Sequence, residues 1–89
     1  MHKIVVYSKD GCHLCERAID TLRKLSVGNK FVLEIVTINS DQELFRKYFL
    51  SIPVVQVNGK DVLDAEDIGL ANDCKTKLTN LVQDLEDLD

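Results

Sequence analysis

The run Ile4-Val5-Val6-Tyr7 is β-branched and aromatic with no polar interruption, the pattern of a central strand covered on both faces; this strand is expected over Lys3 to Ser8. From Cys12 the period changes. Leu14, Cys15, Ala18, Ile19, Leu22 and Leu25 recur at steps of three and four, which predicts a helix that stops at Gly28-Asn29. Phe31 to Ile38 is β-branched again. Strand, helix and strand in this order make a βαβ unit, whose two strands should be parallel with a right-handed crossover.

The second half is built differently. Ser40-Asp41-Gln42-Glu43 fits a capping box with Ser40 and Glu43 as its partners, followed by Leu44, Phe45 and Tyr48 on a short helix ending near Leu50. Val54-Val55-Gln56-Val57 and Lys60-Asp61-Val62-Leu63 flank Asn58-Gly59, the dipeptide most favoured where both turn residues need positive φ, so a β-hairpin is expected. Asp64 is then a candidate N-cap. Ile68, Ala71, Cys74, Leu78, Leu81, Val82, Leu85 and Leu88 form an apolar stripe for one long closing helix. The order β-α-β-α-β-β-α, with no repeat or linker, predicts a single α/β domain over residues 1–89.

Composition narrows the function classes. Eleven Lys+Arg against fifteen Asp+Glu give a net charge of −4, and no basic cluster breaks this balance, which argues against a nucleic-acid partner. The start is too short an apolar run for a secretory signal, and no stretch reaches the ~20 apolar residues of a membrane helix, so a cytoplasmic location and no membrane partner are expected. A monomer is expected.

The three cysteines need separate explanations. Cys12 and Cys15 stand where the first strand hands over to the first helix, after the turn Lys9-Asp10-Gly11. Unpaired N–H groups and the positive end of the helix dipole there favour a thiolate at Cys12, the form that acts as nucleophile. Cys15, one turn later on the apolar stripe, is placed to resolve a mixed disulfide on Cys12. A buried pair of small residues, or half a zinc site, is the alternative, although a closed zinc site takes four ligands and there is no second C-x-x-C. No metal ligand is therefore assigned. His13 can stabilise the thiolate by charge or a hydrogen bond, or be an exposed polar residue at a helix start. Lys9 can stabilise the same thiolate or contact a substrate carboxylate, or simply be a surface lysine. Cys74 lies on the closing stripe as a small hydrophobe. Glu66 and Asp67 complement the dipole of the helix they begin, or one of them meets a ligand's amino group.

Tyr7-Ser8-Lys9, Cys12-x-x-Cys15, Ser51-Ile52-Pro53-Val54 and Asn58-Gly59-Lys60, at these separations, resemble the glutaredoxins, especially the small glutaredoxin-like proteins of bacteria and archaea with a G-C-x-L-C motif. The resemblance covers nearly the whole chain. It implies a thioredoxin-like fold: a four-stranded mixed sheet flanked by three helices, with Pro53 cis beside Cys12 and Cys15. Ile52 then offers backbone hydrogen bonds to a bound thiol peptide, in the manner of strand addition. It further implies dithiol-disulfide exchange on protein or small-molecule disulfides, with an external thiol as reductant and no tightly bound cofactor. The resemblance makes glutathione one candidate reductant, but His13-Leu14 stands here where typical glutaredoxins have Pro-Tyr. Leu63-Asp64-Ala65-Glu66-Asp67 replaces the Gly-Gly and Cys-Asp that hold its glutamyl end. Two other readings are a metal or iron–sulfur carrier using Cys12, and a peptide-binding module without redox turnover.

Overall fold

A computed structural model describes residues 2–28, 31–69 and 74–87. Strand β1 (His2–Ser8) is central, paired in parallel with β2 (Phe31–Thr37) and antiparallel with β3 (Val54–Val57), which pairs antiparallel with β4 (Lys60–Leu63). The sheet order is β2-β1-β3-β4. The uninterrupted apolar run in β1 follows from this position, since Ile4 and Val6 are fully buried and Val5 nearly so.

Side chains alternate across the sheet and sort the helices by face. Ile4, Val6, Val55 and Val57 point into the main core with Ala18 and Leu22 of α1 (His13–Ser26), Ile68 of α3 (Ala65–Gly69), and Leu78, Val82 and Leu85 of α4 (Cys74–Asp87). Tyr7 and Val54 face the other way, toward Ile38 and toward Leu44 and Tyr48 of α2 (Gln42–Tyr48). Each fully buried aliphatic side chain contributes about 1.5–3 kcal/mol relative to exposure. This is the mixed four-stranded α/β sheet expected from the sequence.

The turn Asn58-Gly59 has φ of 51° and 88°, as a tight hairpin requires. Asn58 Oδ1 also accepts from the Lys3 N–H at 2.9 Å, tying the hairpin to β1. Three expectations are corrected. The cap of α2 is Asp41, whose Oδ1 accepts from the Leu44 N–H at 3.1 Å, and not Ser40. Ser40 ends a 3₁₀ turn (Ile38–Ser40), so the extended backbone that a cap needs is found one residue later, at Asp41. That turn also closes β2 at Thr37, and α2 stops at Tyr48.

Within the described residues the closing segment comprises α3 (Ala65–Gly69) and α4 (Cys74–Asp87), and residues 70–73 lie outside them. A Cβ at Gly69 would lie 3.1 Å from Leu14 Cδ2, so α3 reaches α1 at a contact that favours glycine. The described helices number four, three of them substantial. Asn29, Ala71 and Leu88, assigned above to a helix stop and to the apolar stripe, lie outside the described residues.

Candidate redox site

Gly11, with φ of 80°, turns the chain out of β1 through a conformation that L side chains rarely adopt. The Cys12 N–H then donates to the Lys9 carbonyl at 3.3 Å, and Cys12 takes the N-cap of α1 in an extended conformation. Its carbonyl accepts from Glu16 at 3.0 Å as the first helical bond. Its Sγ accepts from the Cys15 N–H at 3.1 Å, so the sulfur fills the role that a serine or aspartate oxygen usually plays at a helix start. A thiolate formed here meets the N–H and the positive end of the dipole together.

Cys12 is half-buried, whereas Cys15 is 1% exposed in the stripe it shares with Ala18 and Leu22. The two sulfurs are joined as a disulfide with Cα atoms 5.2 Å apart. Cys74, on α4, is the free cysteine; burial pushes its thiol up, against smaller lowering effects of a Thr21 hydrogen bond and the Arg17 charge.

The Ile52-Pro53 peptide is cis, and Pro53 is fully buried. Val54 pairs with Tyr7, so Pro53 precedes β3 at the end of the sheet where β1 runs into the Cys12 loop. That end is stitched by Ile52 N–H donating to Tyr48 O at 3.1 Å and Ala65 N–H donating to Ser51 O at 2.9 Å. The N–H of Ile52 is therefore engaged inside the chain.

His13 has a side chain 94% exposed, with Nδ1 3.5 Å from Glu16 Oε2. Lys9 places its Nζ 5.8 Å from the Phe45 ring centroid. Lys9 and Cys15 also line a depression of about 380 Å³ with Ser8, Asp10, Glu16 and Thr37. Among the described residues, no three of His, Cys, Asp and Glu come together as ligands for a metal ion. Nor is any described helix long and apolar enough to cross a membrane.

At the start of α3, Asp64 Oδ1 accepts from the N–H groups of Glu66 and Asp67 at 3.0 and 3.2 Å, while Asp67 Oδ2 accepts from the Asp64 N–H at 3.0 Å. Asp64 is the cap expected, and the Asp67 carboxylate turns back on its own helix start.

Sequence reasoning missed an aromatic and polar network beside this end of the sheet. Tyr7 and Tyr48 stack at 4.7 Å, and the Tyr48 hydroxyl donates toward Asp61, 3.2 Å from Oδ2. Gln56 Nε2 also donates to Asp61, at 3.0 Å. Burial, ahead of the neighbouring charges, raises the Tyr48 phenol above its ordinary range. The signal available was Tyr48 itself, a tyrosine at a core position, which needs a partner for its hydroxyl.

A mixed sheet with a C-x-x-C disulfide at the N-terminus of α1 and a cis proline before β3 defines a protein of the thioredoxin-like class. Residues 3–86 match the model of the glutaredoxin-like domain (DUF836), and the chain belongs to that family. Among solved structures it is similar to protein Ne2328 from Nitrosomonas europaea, at 34% identity and TM-score 0.62, covering 79% of this chain and 89% of that one. It is similar also to target protein XcR50 from X. campestris, at 28% identity and TM-score 0.56, covering 79% of this chain and 95% of that one. The oxidised thioredoxin of Plasmodium falciparum matches at 25% identity and TM-score 0.55, covering 85% of this chain and 80% of that one. No curated protein matches.

Proposed function

We propose that the chain is a thiol-disulfide oxidoreductase working through Cys12 and Cys15. The observation that carries this reading is the asymmetry of the pair: one sulfur half-buried at a helix N-terminus under an N–H donor, its bonded partner enclosed one turn away. In the reduced protein, the Cys12 thiolate attacks one sulfur of a substrate disulfide. A bond from Cys12 Sγ to that sulfur forms, the substrate S–S bond breaks, and the departing thiolate takes a proton. Cys15, losing its proton, then attacks Cys12 Sγ. The Cys12–Cys15 bond forms, the mixed disulfide breaks, and the second substrate thiolate leaves. Two electrons pass from the dithiol to the substrate, and an external thiol reductant returns them. Membership of a glutaredoxin-like family and similarity to an oxidised thioredoxin support this chemistry.

In this reading the buried Pro53 shapes the backbone of the slot for an extended substrate, the Ile52 carbonyl lines it, and Lys9 and His13 flank it. Glutathione is one reductant to test. The carboxylates of Asp64 and Asp67 both accept from N–H groups at the start of their own helix, which favours a different thiol donor.

Cys12→Ser is expected to abolish reduction of a model disulfide. Cys15→Ser should stop after the first attack, leaving a substrate thiol covalently held on Cys12 and visible as added mass in the intact protein. Full activity in Cys12→Ser contradicts the assignment.

A further inference from the structure

Helix α2 presents a surface that the redox chemistry leaves unused. Gln42, Phe45, Arg46 and Phe49 share one face by helical spacing, and with Asn39 they line a groove of about 560 Å³. The rings of Phe45 and Phe49 stack at 5.6 Å and remain 37% and 46% exposed. No carboxylate lines the groove, and among the described residues neither Arg46 nor Lys9 is paired with one. The groove is also joined to the redox loop: the Asp10 N–H donates to Asn39 Oδ1 at 3.2 Å, and Lys9, three residues before Cys12, reaches over Phe45.

On a chain of net charge −4 this is an apolar island rimmed by unpaired cations. An apolar partner would strip water from Arg46 and Lys9 without replacing it, whereas an acidic one supplies the missing carboxylates while the rings take up apolar area. We propose that this face of α2 docks an acidic segment, carrying an apolar or aromatic side chain, of the protein whose disulfide reacts at Cys12. The proposal rests on the dithiol reading for the identity of the reaction, but the docking can be measured apart from it.

The test uses disulfide-bearing peptides that share one Phe and differ in flanking residues, either Asp and Glu or Lys, with 2-hydroxyethyl disulfide as an uncharged reference. The ratio of the rate with the acidic peptide to that with the reference should exceed the ratio for the basic peptide by about tenfold or more at low salt, and the difference should shrink at high salt. Arg46→Glu should reverse the preference, and Phe45→Ala with Phe49→Ala should weaken it. Acidic and basic peptides reduced alike, or a preference that survives Arg46→Glu, overturns the docking surface and leaves the dithiol reading intact. In parallel, fluorescence anisotropy reads binding of the acidic peptide with its cysteines replaced by serine. Binding lost in Arg46→Glu, in a protein that reduces no disulfide, supports the surface and removes the dithiol reading. A dimer dispersed by Arg46→Glu, with no peptide binding, overturns the proposal in favour of self-association.

Discussion

Burial raises the Cys74 thiol above its ordinary value of about 9.0, while Cys12 sits under an N–H donor at a helix start. A raised value means that folding favours the neutral thiol at Cys74. The stability this contributes is complete below the ordinary thiol range and is lost as pH rises through the raised value. With the Cys12–Cys15 disulfide closed, Cys74 should therefore react slowly with iodoacetamide at neutral pH and faster only as pH climbs beyond 9. Reaction at neutral pH as fast as a free thiol in a peptide would contradict that environment. Cys74→Ser should leave the exchange activity nearly unchanged, because the side chain belongs to the packing of α4 against α1.

Among the elements, α2 offers the sharpest test of local chemistry. Asp41→Ala removes the acceptor of the Leu44 N–H and is expected to cost about 1 kcal/mol. For a domain of this size that lowers Tm by roughly 4–8 °C, read by circular dichroism. Ser40→Ala should cost much less, and the reverse ranking would restore Ser40 as the cap. The strands were legible because β1 and β3 carry apolar runs and because Asn58-Gly59 leaves few conformations open to the turn. Cys15 was legible as the enclosed thiol from its place in a stripe of helical period. The choice between Ser40 and Asp41 was not, since both residues suit a cap and only the 3₁₀ turn decides. The isomer of Ile52-Pro53 and the Tyr7-Tyr48-Asp61 cluster depend on partners distant in sequence.

At the scale of the molecule, the main core joins α1 and α4 on one face of the sheet and braces the element that carries Cys15. Leu78, fully buried on α4, packs in the same cluster as Leu22 on α1. Leu78→Ala should cost about 2–5 kcal/mol in urea unfolding, the range for a leucine whose removal leaves a cavity. A loss below about 0.5 kcal/mol, typical of a surface change, would show that the two helices do not depend on this contact. The central claim concerns the pair that the core supports, and an equilibrium titration tests it most directly. The protein is brought to equilibrium with graded ratios of reduced to oxidised dithiothreitol and then, separately, of glutathione. The thiols are trapped with a maleimide in denaturant, so that Cys74 is labelled as readily as any other thiol, and counted by intact mass. The account predicts one two-electron transition, with a slope of about 30 mV per tenfold change, in which Cys12 and Cys15 convert together between disulfide and dithiol while Cys74 is labelled throughout. Cys12 and Cys15 that stay labelled at every ratio, and so never form the bond, would contradict it.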